Sequence, residues 1–148
     1  MSETALTAND LLFLAKGAGM TLAVTGIAVT AGTILGILFG VVRFQVGALW
    51  FAPLTFLLDV FRSVPLLIQL VLANAFQSIV KLGWPPFTTS CVVLSLYTAA
   101  YCTEIVRGSM EAVPGNTRRA ARSLGLTWRQ DMTNIVAPLA TRIALPSW

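Results

Sequence analysis

The sequence contains no histidine and only two cysteines among its 148 residues. Without an imidazole, neither a histidine base nor a histidine metal ligand is available, and we predict no catalytic residue and no metal site. Cys91 and Cys102 are 11 positions apart, about 16 Å along one helix, which is too far for a disulfide. The pattern Gly-x-x-x-x-Gly-Lys-Ser/Thr is also missing, so the chain itself carries no P-loop for ATP.

Charged side chains are scarce as well. They make up 11% of the residues while hydrophobic ones make up 56%, and a soluble domain carries about 25% charged residues. This balance disfavours a soluble enzyme, a disordered region and a secreted disulfide scaffold, and it favours an integral membrane protein. The first ten residues contain Glu3 and Asp10 but no basic residue, which disfavours a cleavable signal peptide.

Three uncharged runs of 26, 18 and 22 residues are present: Gly17 to Val42, Ser63 to Val80 and Leu82 to Thr103. Each is long enough for a spanning helix. Because Pro85 and Pro86 interrupt the third run, its helix should begin near Pro86. We therefore predict an all-α membrane protein with a short segment 1–15 and spans at 16–43, 62–80 and 86–107. Residues 139–148 read as the start of a further helix, which predicts that the chain is the front part of a longer one.

The basic residues are distributed unevenly around these predicted spans. Segments 43–62 and 107–142 hold eight of the ten, and the remaining two are Lys16 and Lys81. Loops rich in Lys and Arg stay in the cytoplasm. We therefore predict that both Arg-rich segments are cytoplasmic and that the N-terminus is extracytoplasmic.

Small and polar residues follow a pattern on these helices. Gly32, Gly36 and Gly40 repeat every fourth position, a stripe that favours close helix packing, within this chain or with a second subunit. Polar side chains in a bilayer need partners and face protein or water. They fit either hydrogen bonds between helices or the wall of a solute pathway, and for Glu104 an ion pair with Arg107 is the simpler explanation. The candidates for the pathway are Gln69, Asn74, Thr98, Tyr101 and Glu104.

The predicted cytoplasmic loop, 108–138, is the most informative segment. Asn116 or Thr117 could cap one short helix, and Gly125 suits the left-handed position that ends it. Thr127 could cap a second short helix, which Pro138 would stop. We call residues 112–138 the elbow, since two short helices would meet there at a glycine.

Three interpretations of the elbow follow from its composition. It could be a docking surface for a soluble partner, or a basic loop lying against anionic lipid. A helix-turn-helix DNA reader over 117–137 is a third possibility, since arginine is abundant there. That third case would make the protein a membrane-tethered regulator; a small scaffold is another alternative.

The elbow resembles the cytoplasmic signature of permeases in binding-protein-dependent ABC importers. That signature reads Glu-Ala-Ala, three residues, Gly, and later a Leu-Pro. Ala120, Ala121 and Gly125 match it at the right spacing, and Pro138 matches its proline. Arg119 stands where the signature has Glu.

Two further segments are similar to the polar amino acid branch of that family. Residues 60–69 read Val-Phe-Arg-Ser-Val-Pro-Leu-Leu-Ile-Gln, and residues 99–108 read Ala-Ala-Tyr-Cys-Thr-Glu-Ile-Val-Arg-Gly. The run Arg-Ile-Ala-Leu-Pro at 142–146 also fits. The resemblance covers about residues 16–148.

The resemblance implies the type I importer permease fold, in an incomplete form, and a subunit of a bacterial inner-membrane importer of polar amino acids such as glutamate, aspartate or glutamine. It also implies four partners: an ATPase that carries the ATP and Mg²⁺, a second permease subunit of the same or a homologous kind, an extracytoplasmic binding protein and the bilayer, with no nucleic acid. The residues it assigns to ATPase coupling are Arg119, Ala120, Ala121, Leu124, Gly125 and Leu126.

Overall fold

A computed structural model describes residues 8–46 and 52–148, and every regular element in these two ranges is helical. The long helices are α1 (Ala8–Val46) and α4 (Pro86–Glu111), with α2 (Ala52–Ser63) and α3 (Leu66–Ile79) between them. The elbow contains α5 (Gly115–Ser123) and α6 (Trp128–Asp131). A π-helix (Met132–Val136) leads from α6 into α7 (Ala137–Ala144), and a 3₁₀ turn (Leu145–Ser147) follows.

Helix α1 is longer than the predicted span 16–43. Its 39 residues would extend about 58 Å, whereas a hydrocarbon core is about 30 Å thick. Lys16 does not end the helix, because lysine is a good helix former and its charge can reach the interface. The predicted segment 1–15 is therefore helical from Ala8 onward, and residues 1–7 lie outside the described part.

The predicted single helix at 62–80 is replaced by two. Helices α2 and α3 meet at an angle of 109°, and Pro65 is the N-cap of α3. Proline lacks a backbone N–H and disfavours helical conformation in the residue before it, here Val64, so the helix breaks at this point. Within the described residues, two helices are long and apolar enough to span a membrane, or three elements if the bent pair counts as one.

Helix α4 begins at Pro86, as predicted, but ends at Glu111 rather than near Arg107. Arg107 pairs with Glu104 one turn earlier and with Glu111 one turn later, at 3.0 and 2.6 Å. These pairs lie on one helix face and favour continuation of the helix. The helix ends three residues before Pro114, the N-cap of α5.

The C-terminal part also differs from the prediction. Pro138 does not stop a helix but lies in the first turn of α7, directly after the π-helix. A proline is tolerated in a first turn because its missing N–H is not needed there, and the wider π turn separates it from α6. The further helix predicted from 139 therefore already begins at Ala137.

An apolar core lies at the junction of α4, the elbow and α7. Buried Met110, Val113, Met132, Val136 and Ala140 form it, and Phe44 of α1 packs against its edge. The elbow is thereby attached to the ends of the two long helices.

Candidate functional site

The glycine stripe of α1 packs against α4 of the same chain. Of the two alternatives, packing within the chain or with a second subunit, the structure shows the first. A Cβ added at Gly32 would lie 2.5 Å from Cβ of Thr98, and one at Gly40 would lie 2.7 Å from Cβ of Val106. A Cβ at Gly36 would collide with Cys102 between these two contacts. The residue numbers of the contacting pairs increase along both helices, so α1 and α4 run parallel. The segment that contains α2 and α3 connects the end of α1 to the start of α4.

Because α1 and α4 are parallel, their C-terminal ends lie side by side, and an ion cluster joins them there. Arg43 of α1 donates a hydrogen bond to Glu104 of α4. Arg107 pairs with the other oxygen of the same carboxylate at 3.0 Å, and Arg62 of α2 lies 3.8 Å from the oxygen that Arg43 contacts. Asp59 pairs with Arg62. The predicted pair of Glu104 and Arg107 is therefore present, within a larger cluster that links three helices.

Gln69 and Asn74, two of the predicted pathway residues, lie on α3. The Gln69 side chain is buried and donates to the backbone oxygens of Phe61 and Val64, across the break between α2 and α3. These bonds satisfy carbonyl groups that the end of α2 leaves without helical partners. Asn74 donates to Leu70 O on its own helix at 2.9 Å. In the structure Gln69 therefore stabilises the bend.

Thr98 and Tyr101 lie three positions apart on α4, on neighbouring parts of its surface. Thr98 meets the glycine stripe of α1, while Tyr101 is 41% exposed and lies within 3.5 Å of Arg62 O through its hydroxyl. Both line an open groove of about 390 Å³. Gln69 lines a different, more apolar groove of about 570 Å³ between α2, α3 and α4. Gln69 therefore lines a different groove from Thr98 and Tyr101.

The predicted coupling residues divide between two faces of the elbow. Ala121 is 2% exposed and packs inward, where its small side chain permits close contact of α5 with the elements below. Arg119 and Ala120 are exposed, Leu126 is half-buried, and the Leu124 side chain is 80% exposed. The Leu124 side chain therefore makes little contact with the rest of the described structure.

The turn between α5 and α6 follows the prediction in part. Gly125 has φ +75°, the left-handed conformation that ends a helix at low cost only with glycine. Thr127 caps α6, and Gln130 accepts from the backbone N–H of Thr127 at 2.9 Å, which completes a capping box. The cap predicted for α5 is wrong. That helix begins at Gly115 after Pro114, whose fixed φ suits a helix start, and Asn116 and Thr117 do not cap it.

One ion pair in the elbow was not foreseen. Arg118 of α5 reaches Asp131 at the end of α6, 3.4 Å from Nε to Oδ2, and the Asp131 side chain is 3% exposed. The Arg118 guanidinium also lies over the ring of Phe44 on α1, 5.2 Å from its centre. Arg118 and Asp131 are 13 positions apart on different helices, so the i,i+3 and i,i+4 spacings that indicate ion pairs within one helix do not apply to them.

Helix α6 has four residues and continues into Met132 and Val136, which are buried in the core below the elbow. A DNA-reading helix must leave its face free to enter a groove. This burial disfavours the helix-turn-helix interpretation of residues 117–137.

Parallel apolar helices, a bent helix pair between them and an elbow at one end are typical of a helical membrane protein. A model of the family described as "Binding-protein-dependent transport system inner membrane component" matches residues 32–147. The chain belongs to this family, as the resemblance of the elbow indicated.

Relatives of known description agree with this assignment. The chain is 32% identical over 144 residues to the probable amino-acid ABC transporter permease protein YckA of Bacillus subtilis, covering 97% of this chain and 64% of that protein. It is 32% identical to the glutamine transport system permease protein GlnP of Escherichia coli, covering 90% and 62%. The chain thus spans less than two thirds of the length of these relatives.

Two solved structures are similar to the chain. A crystal structure of an amino acid ABC transporter with histidines superposes with a TM-score of 0.69 at 29% identity, over 96% of this chain and 69% of that one. An inward-facing structure of the MetNI methionine ABC transporter superposes with a TM-score of 0.72 at 21% identity, over 95% and 72%. The second likeness concerns the fold alone. The predicted fold class, the ABC importer permease fold, is confirmed.

Proposed function

We propose that this chain is a membrane-spanning permease subunit of an ATP-driven importer of polar amino acids in a bacterial inner membrane. The observation that carries the proposal is the elbow, in a chain that belongs to a family of inner membrane transport components. Its exposed Leu124 beside the Gly125 turn offers a partner an apolar contact outside the membrane. Nothing in this role requires chemistry from the chain.

Coupling would run from a separate ATPase through the elbow to the spanning helices. ATP and Mg²⁺ bound to that partner would draw two ATPase subunits together, and each would move the elbow it grips. Arg119, Ala120 and Leu124 are exposed and available for that contact. The ion cluster around Glu104 ties α1, α2 and α4 at one end, so the helices would rock as a unit between two states.

The arginine distribution supports the proposed orientation. Arg43, Arg62 and Arg107 meet at one end of the helices, and the elbow adds further arginines beyond α4. An excess of arginine marks the cytoplasmic side. The elbow would therefore face the cytoplasm, the N-terminus would be extracytoplasmic, and a binding protein would deliver solute there.

The solute class rests on the relatives and the branch segments. GlnP is named for glutamine and GltK of Escherichia coli for glutamate and aspartate, and these are the amino acids we propose. The polar side chains Gln69, Asn74, Thr98, Tyr101 and Glu104 stay candidates for contact with the solute. A second permease subunit, identical or homologous, would complete the pathway that the grooves of this chain leave open.

The test is purification from native membranes in mild detergent, followed by subunit mass spectrometry and reconstitution into liposomes. We expect an ATPase in a fixed ratio to the permease, and ATP-dependent uptake of labelled glutamate, aspartate or glutamine. Absence of an ATPase, with binding of duplex DNA that falls steeply as salt rises, would support the tethered regulator instead. Uptake of a labelled apolar amino acid alone would overturn the solute class.

A further inference from the structure

Helix α5 has few points of attachment to the rest of the described structure. Its backbone connects to the chain at its two ends. Its inward face consists of two side chains: Ala121, which is buried, and Arg118, which lies three positions earlier and is half-buried. The other residues of the helix are exposed. Arg118 is therefore the long side chain through which α5 contacts other helices.

Arg118 contacts two separate elements at once. Its Nε lies 3.4 Å from Oδ2 of Asp131 on α6, and its guanidinium stacks over the Phe44 ring of α1. Phe44 in turn packs against the core formed by α4, the π-helix and α7. A planar guanidinium can pair with a carboxylate and stack on an aromatic ring together, which an ammonium group does less well.

The partner carboxylate is built into the protein interior. Asp131 is 2% exposed as a residue, and its Oδ1 is buried with no hydrogen-bond donor in the described part of the chain. A buried carboxylate is costly without a compensating cation, so Arg118 is held in place by the charge it neutralises.

We propose that Arg118 is a positioning residue that joins α5 to α6 and to α1, and so carries motion of the elbow to the spanning helices. This inference rests on the proposed function, because it concerns transmission from an ATPase. Without this side chain α5 would keep its backbone connections and its exposed face. The ATPase would still bind and hydrolyse ATP, but α5 would be joined less tightly to α6 and α1, so less of its motion would reach the spanning helices.

The test compares solute imported per ATP hydrolysed in liposomes that contain the complete transporter, with labelled glutamate, aspartate or glutamine as probe. Arg118→Met alone would leave Asp131 unpaired and could prevent folding. The decisive variant therefore combines Arg118→Met with Asp131→Asn, which removes both charges. Arg129→Ala removes an exposed guanidinium from α6 and is the matched control.

We expect the double variant to retain its ATPase and its hydrolysis while import per ATP falls about tenfold, within the range of coupling effects for residues remote from a ligand. Phe44→Leu should lower the same ratio with the ion pair intact, and Arg129→Ala should leave it unchanged. An unchanged ratio in the double variant would overturn the inference and assign Arg118 a purely charge-balancing role. A parent complex without an ATPase would overturn the proposed function, and this inference with it.

Discussion

Arg43 of α1 donates a hydrogen bond to Glu104 of α4, 61 residues further along the chain. The pair joins the C-terminal ends of two parallel helices, and the same carboxylate also receives Arg107 and faces Arg62. One acidic side chain thus balances arginines from three helices. Removing its charge would leave those arginines facing one another.

Glu104→Gln should therefore destabilise the protein. The amide keeps the shape but cannot balance the arginines, and we expect a loss of about 1–3 kcal/mol in the free energy of unfolding. Asp59→Asn is the control, because the Asp59 side chain is 48% exposed and such a pair contributes about 0–1 kcal/mol. Thermal unfolding in detergent, followed by circular dichroism, measures both. Equal losses in the two variants would contradict a central role for Glu104.

Gly36→Ala should separate α1 from α4. The added methyl group would collide with Cys102, and overpacking of this kind costs about 1–3 kcal/mol. Gly26→Ala is the matched control on the same helix, where nothing lies within 4 Å of the new carbon, and it should be neutral or stabilising by about 0.5–1 kcal/mol. The measurement is the thermal unfolding midpoint of each variant in the same detergent, and we expect a lower midpoint for Gly36→Ala than for Gly26→Ala. A Gly36→Ala midpoint at or above that of Gly26→Ala would show that the stripe tolerates a larger side chain.

Gly125→Val should uncouple transport while membrane insertion continues. The backbone at Gly125 has φ +75°, a conformation that costs an L-residue about 1–2 kcal/mol and a β-branched residue more. The turn would shift and the exposed face of α5 would be misdirected. Import per ATP hydrolysed, measured in liposomes, should fall strongly.

Two controls accompany Gly125→Val. Gly125→Asn should have a milder effect, because asparagine adopts the left-handed region more readily. Gly115→Ala should have little effect, since nothing lies within 4 Å of the added carbon. Full import by the valine variant would show that coupling does not depend on the geometry of this turn.

Arg119→Glu restores the acidic residue of the family signature. Arg119 is exposed on α5, so the change should not disturb folding, and we expect the ATPase to bind at least as tightly. Co-purification at increasing salt compares the variant with the parent chain. A sharp loss of ATPase from the variant would show that the partner in this system depends on the arginine.

Local features of the fold were predictable because they depend on neighbouring residues. The spacing of Gly32, Gly36 and Gly40 indicated close packing, and Gly125 and Thr127 indicated the turn and the cap of α6. Pro86 marked the start of α4. In each case a backbone property of one residue type determines the outcome over less than two turns.

Other features depend on contacts between distant residues. The prediction placed one helix at 62–80 and missed the break at Pro65. The 109° angle there also involves Gln69, which bonds to carbonyls on the far side of the proline. The sequence also left open which helix faces the glycine stripe, because that contact joins residues far apart in the chain. Arg118 and Asp131 carried no local signal, since two charged residues 13 positions apart pair only once α5 and α6 have folded back on each other.

The π-helix at Met132–Val136 has a consequence for the direction of the elbow. A π turn contains one residue more than an α-helical turn, so deletion of one residue there would leave a continuous α-helix from α6 to α7. Because a π turn is wider than an α turn, it accommodates the extra residue in nearly the same rotation about the helix axis, so the deletion would leave α6 at nearly its present azimuth to α7. The π turn therefore allows the segment between α6 and Pro138 to hold one more residue without turning the elbow away from the membrane helices.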